Sequence, residues 1–203
     1  MKSVKVLALI GVFISIGLLS GCASTKVERT DISKQVDLSG KWNDSDSKLT
    51  ADEMINDCLS RPWLATFSAL NNNAQPVVIV GTVKNRTQEH IDSALFVANL
   101  EKSLINSGRV KFVASRDERG EIREEKIDQA ENSNDATMKP QKQETGADFM
   151  LQGTINSIKD EVKGKYVILY QVNLEMVNIT TNEKVWIGQK EIKKIVSRSS
   201  LGL

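Results

Sequence analysis

Histidine is almost missing from this sequence, and cysteine and proline are scarce: one His, two Cys and three Pro in 203 residues. A lone His90 leaves no His–Cys or His–carboxylate spacing for a metal site. It sits among polar neighbours and suits a surface or capping role. Two cysteines, Cys22 and Cys58, do not make a disulfide framework. There is no Gly-x-Ser-x-Gly elbow, phosphate loop or dinucleotide fingerprint; Gly164-Lys165 runs into Tyr166 and lacks the upstream glycine. Ser45-Asp46-Ser47-Lys48 has the bare letters of a serine–lysine hydrolase but none of its partner motifs. An excess of one charge is also absent, with 27 basic against 26 acidic residues. That balance speaks against nucleic acid as a partner, which calls for a basic face. No apolar run reaches the roughly 20 residues that span a bilayer. The expectation is a non-enzymatic binding protein with no metal, no cofactor and no small-molecule substrate.

What is present begins at the N-terminus. Lys2 and Lys5 precede a 14-residue apolar run, Val6 to Leu19, that leads into Leu19-Ser20-Gly21-Cys22. A basic start, a short apolar core and small exit residues describe an export signal. The ending resembles the bacterial lipobox, which implies a signal peptide over residues 1–21, cleavage before Cys22 and diacylation of its thiol. Two acyl chains suffice for stable anchoring. Ala23, rather than Asp, follows the cysteine; by analogy with Gram-negative sorting this directs the protein to the outer membrane, facing the periplasm. Loss of the signal removes two lysines and leaves 182 residues with a net charge of −1, enough chain for one domain with a real core. With Cys22 lipidated, Cys58 has no intramolecular partner; it falls on an apolar stripe and is expected to be buried and inert.

Residues 22–46 are polar and aperiodic, and read as a flexible tether ahead of a globular domain over 47–203. The 24 residues after Cys22 span about 27 Å as a coil and roughly 80 Å fully stretched. Trp42 would be wasted in a free coil, which points to docking of Leu38–Trp42 on the domain. A capping box at Thr50 and Glu53 predicts a helix whose Ala51, Met54, Ile55, Cys58 and Leu59 form one stripe. Arg61-Pro62 opens a second helix, with Trp63, Leu64, Phe67 and Leu70 buried. Val77–Val83 reads as a buried strand. A helix over roughly His90–Asn106 follows, with Val97, Leu100, Leu104 and Ile105 as its apolar residues. Val110–Ala114 is a short strand. Ser115 and Glu118 box a helix reaching Asn132, poor in apolar residues and so external; its charged run Arg116–Glu131 is a solvated surface. Phe149–Ile158, Tyr166–Met176 and Lys184–Val196 are the last strands, the middle one strictly alternating. The order α-α-β-α-β-α-β-β-β predicts a single α/β (α+β) domain. Its sheet is mixed and mostly antiparallel, with four to five strands flanked by helices.

Several ordered segments resemble the LpoB family of lipoprotein activators of penicillin-binding proteins. They are Asp37-Leu38-Ser39-Gly40-Lys41-Trp42-Asn43-Asp44; Met54-Ile55 and Cys58-Leu59 before Pro62-Trp63; Gly81 to Thr87; Leu104 to Val113; and Gly146 to Gly153. The resemblance implies a fold similar to the N-terminal domain of TolB. It also implies an outer-membrane lipoprotein that docks on a periplasmic module of a class A, bifunctional penicillin-binding protein and stimulates it allosterically. The tether departs from the family pattern, being short and free of proline. No motif places partner contacts by number. Asn85, Arg86 and Thr87 lie at a strand end, where binding loops often sit, and are the candidate partner-binding residues. The alternative is a secretion or envelope-assembly lipoprotein related to CsgG. That would require oligomers and membrane-inserted hairpins, whereas a monomer is expected here.

Overall fold

The computed structural model describes residues 26–31 and 34–197; the expected export signal and the expected lipidation at Cys22 lie outside the described residues. The chain divides into two units, Met1–Gln35 and Val36–Leu203. In the first, the described residues carry no helix or strand, and Lys34 N–H turns back to the Asp31 carbonyl at 3.1 Å.

The second unit opens with helices α1 (Asp44–Ser60) and α2 (Pro62–Leu70). Helix α1 starts six residues ahead of the predicted Thr50, because a better box lies upstream. Asn43 Oδ1 accepts from Asp46 N–H and Asp46 Oδ2 accepts from Asn43 N–H, each at 3.0 Å. This reciprocal pair satisfies two otherwise orphaned donors. Thr50 lies fully buried inside the helix instead. The predicted stripe Ala51, Met54, Ile55, Cys58 and Leu59 is buried throughout. In α2 the first turn is buried at Trp63 and Leu64, and Trp63 and Phe67 both lean on Phe149. Leu70, predicted inward, is 79 % exposed, since it falls beyond the reach of Phe149 near the end of a nine-residue helix.

Strand β1 (Val77–Asn85) is followed by helix α3 (Ser93–Asn106), capped by Asp92 Oδ1 on the N–H groups of Ala94 and Leu95. That cap sets the start three residues later than predicted. Its buried stripe is Phe96, Leu100 and Leu104, at i, i+4 and i+8, while Ile105, one of the apolar residues noted in the sequence, is half exposed. Strand β2 is only Lys111–Phe112, and helix α4 (Arg119–Asn132) buries none of its residues, as its composition predicts. Ser115 N–H donates to Glu118 at 2.7 Å, but this closes a turn ahead of the helix: α4 starts at Arg119, later than the predicted box would place it, and its N-cap Glu118 makes no side-chain cap bond. Strands β3 (Phe149–Val162), β4 (Lys165–Asn178) and β5 (Lys184–Ser197) complete the element order.

All five strands form one sheet in the order β2-β1-β3-β4-β5. β1 runs parallel to β2 and β3, and β3–β4–β5 is an antiparallel meander. This is the mixed, mostly antiparallel α+β sheet that the element order predicts. Helices α1 and α3 pack on each other and on the sheet. The inward row Ile168, Tyr170, Val172, Leu174 and Met176 of β4 is buried, as are Leu151 and Ile155 of β3. Each such side chain contributes about 1.5–3 kcal/mol through removal from water. Glycine at 188 is required by contact, because the Trp186 ring lies where a Cβ would stand.

Residues 36–43, placed in the tether by their polarity, are fastened to this domain. Trp42 packs edge-on against Phe96 and Tyr170, with centroids 6.1 and 5.5 Å away, and its Nε1–H donates to Ser47 Oγ at 2.6 Å. The Tyr166 hydroxyl donates to the Ser39 carbonyl at 2.7 Å. Lys194 Nζ, on a side chain only 10 % exposed, lies 2.6 Å from both Asp37 Oδ1 and Asp46 Oδ2. Gly40 bends at φ +71° against Val196, a conformation and a closeness that favour glycine. The predicted docking of Leu38–Trp42 holds for Ser39 to Trp42; the Leu38 side chain itself is 94 % exposed.

Candidate functional site

Among the described residues, helices α1, α2 and α3 pack on one face of the sheet, and the outward side chains of its antiparallel half stay at least partly exposed. Because side chains alternate along a strand, the inward row of β4 leaves Leu169, Gln171, Asn173 and Glu175 pointing outward, each partly exposed. The register aligns them with outward residues on both neighbours. Gln152, Glu175 and Ile187 form one row, and Thr154, Asn173 and Gln189 the next. Asn156, Gln171 and Glu191 form a third, and Ile158, Leu169 and Lys193 a fourth. Glu175 is tied on both sides, accepting from Gln152 Nε2 at 2.8 Å and pairing with Lys184 Nζ at 2.6 Å. The bond to Lys184, more than that to Gln152, holds its carboxyl below the ordinary range.

A shallow cleft of about 480 Å³ runs from this face toward β1. Lys84 and Arg86 stand on one wall, and Met150 and Ile187 give it apolar surface. Arg86 follows the last residue of β1, and its N–H donates to the Ile155 carbonyl at 2.8 Å, so the backbone is fixed while the side chain stays exposed. The two neighbours predicted with it are used differently. Asn85 Oδ1 accepts from both the N–H and the hydroxyl of Thr87, at 2.9 and 2.8 Å. Asn85 Nδ2 donates to the Glu89 carbonyl at 2.8 Å. Asn85 and Thr87 therefore build a turn, and Arg86 is the member it presents. Glu89, at the far side of that turn, accepts from the Tyr170 hydroxyl at 2.7 Å and the Trp42 N–H at 3.3 Å. Burial first, and the Glu89 carboxylate second, push the Tyr170 phenol above its ordinary range.

The other residues weighed from the sequence stand apart from this face. His90 is exposed. Ser47 is buried and occupied by Trp42, and Asp46 is held by the α1 cap and Lys194, so Ser45–Lys48 is spent on structure. Burial pushes the Cys58 thiol up to about 12. Among the described residues no cluster of three or more His, Cys, Asp or Glu is placed to hold a metal, and no helix is long and apolar enough to cross a membrane. The open face was missed by motif reading; its signal was the polar half of the alternation at Gln171, Asn173 and Glu175.

A family model described as peptidoglycan-synthase activator LpoB matches residues 46–192. Among solved structures, the LpoB C-terminal domain from Escherichia coli is similar at 16% identity, over 72% of this chain and 98% of that one, with a TM-score of 0.41. The LpoB C-terminal domain from Salmonella enterica is similar at 16% identity, over 64% of this chain and 93% of that one, with a TM-score of 0.33. Lipoprotein GNA1162 from Neisseria meningitidis shows 16% identity, over 63% of this chain and 88% of that one, with a TM-score of 0.39. No curated protein sequence matches the chain.

Proposed function

The chain belongs to the LpoB family of peptidoglycan-synthase activators, and from that premise we propose that it binds a class A penicillin-binding protein through the synthase's periplasmic docking module and raises its activity. The family match over residues 46–192 carries this reading. The protein is then a regulator without chemistry of its own, which fits a site made of a presented cation on a fixed turn. It acts as a monomer exported by residues 1–21, held to the outer membrane by acyl chains on Cys22 and facing the periplasm. Asn85 and Thr87 shape the docking turn and Arg86 makes the contact. An activator of this kind works by binding one synthase state better than another. A coupling of about 1–3 kcal/mol changes affinity roughly 5- to 150-fold. No observation favours the secretion-component alternative; Gln171, Asn173 and Glu175 keep the outward face of β4 polar.

The test is reconstitution of the full lipidated protein with the class A synthases of its own envelope. Saturable binding and faster glycan polymerisation are expected, with Arg86→Glu weakening the binding about tenfold. Absence of binding to every such synthase overturns the reading.

A further inference from the structure

The centre of the open face is chemically unlike the docking turn. Neighbouring strands lie about 4.8 Å apart and alternate residues about 6.8 Å apart, so the outward rows form a grid. Its middle is uncharged: Gln152, Thr154, Asn156, Gln171, Asn173 and Gln189 occupy adjoining positions on three strands. Part of the grid is satisfied internally. Asn156 Nδ2 donates to Thr154 Oγ1 at 3.1 Å, and Gln189 Nε2 donates to Glu191 at 3.0 Å. The carboxamides of Gln171 and Asn173, on the central strand of the meander, have no hydrogen-bond partner among the described residues and reach solvent. Each offers an NH₂ donor pair and a carbonyl acceptor.

Centres of protein-binding surfaces are enriched in Trp, Tyr, Phe and Arg. No outward residue of β3, β4 or β5 is aromatic or Arg. Two acids stand in these rows: Glu175, paired with Lys184, and Glu191, beside Gln171 on the edge strand; the second disfavours a polyanion. Aliphatic surface flanks the amides, Ile187 on one side and Leu169 and Ile158 on the other. A ligand that suits this pattern is extended, uncharged, rich in hydroxyl and amide groups, and bears small apolar substituents.

We propose that the outward face of β3–β4–β5 binds an uncharged N-acylated amino-sugar strand, read by the carboxamides of Asn173 and Gln171. Amide donors and acceptors pair with the acylamido group and hydroxyls of the sugar, and the acyl methyl rests on Ile187 or Leu169. That the strand is the wall glycan made by the synthase rests on the activator reading; the chemistry of the site does not.

The test uses the full lipidated chain, isotope-labelled in detergent micelles, titrated with β-1,4-linked N-acetylglucosamine tetramer and, separately, with the glucose tetramer that lacks acylamido groups. Saturable shifts of the Asn173 and Gln171 side-chain amide signals are expected with the first sugar, and about tenfold weaker binding with the second. The double variant Asn173→Val/Gln171→Val keeps strand propensity on an exposed face and should lose about tenfold in affinity with an unchanged unfolding midpoint. Unmoved amide signals in the unsubstituted protein overturn the proposal. So does a double variant that loses synthase binding while the sugar leaves those signals unmoved, which makes the face a protein-docking surface. Sugar binding without any synthase response removes the activator reading and leaves the sugar site standing.

Discussion

At the scale of single residues, polar and reactive groups inside the domain are held still. Cys58 is fully buried and its thiol is pushed up to about 12 by desolvation. The thiolate is the reactive form, so a maleimide at pH 8 should leave Cys58 unlabelled in the folded protein and label it fully after guanidinium unfolding. Mass spectrometry reads both states. Lys194 is held the other way. Burial alone would lower its ammonium, but the hydrogen bonds it donates to Asp37 and Asp46 outweigh burial and hold it above its ordinary value. Removing one partner of a buried pair strands the other charge. Asp46 is only 3 % exposed, so Lys194→Met should cost about 3 kcal/mol in denaturant unfolding. Adding Asp46→Asn should recover part of that loss, because the stranded charge goes with it.

At the scale of elements, the same competition decides where helices begin. Thr50 and Glu53 spell a capping box, yet α1 starts at Asp44 because Asn43 and Asp46 reciprocate both bonds. Asn43→Ala should therefore lower stability by about 1 kcal/mol, while Glu53→Ala, which removes only a surface pair with Lys190, should change it by less than about 0.5 kcal/mol. Thermal melts of the two variants separate these sites. Strict alternation made β4 legible to within two residues at each end, since burial on one face leaves its mark every second position. The far end of β3 was not legible: Lys159–Val162 are exposed, and backbone pairing with β4 alone makes them strand. Phe96 was passed over because Val97 and Ile105 look equally apolar in one dimension. Only the placement of α3 over the sheet chooses Phe96-Leu100-Leu104.

At the scale of the whole molecule, the pairing of strands could not be read in advance, because periodicity says which face is buried and not which strand lies beside which. That is also why the open face went unseen as a unit. Its rows join residues 11 to 35 positions apart, and only the register of three strands brings Thr154, Asn173 and Gln189 together. Three carboxylates bind the fold together at separated places and share one sign. Arg61 and then Trp186 lower Asp57, Ser115 lowers Glu118, and Lys184 lowers Glu175. A carboxyl held low in the folded state stabilises above its unfolded value, about 4, and loses that contribution as pH falls through the lowered value. Melting temperature should accordingly be flat from pH 7 to about 5 with respect to these groups, and fall modestly below about pH 4, because all three carboxylates are largely screened by solvent. The fastening of residues 36–43 has a consequence for distance. With lipid on Cys22 as proposed, residues 23–35 separate the anchor from the fastened segment, and 13 residues span at most about 45 Å. Undoing Lys194, Tyr166 and Trp42 would pay out eight more residues, about 28 Å of line. The domain thus carries its own slack, reeled in and locked by one lysine and two rings, and how far from its membrane it can work depends on whether that reel is closed.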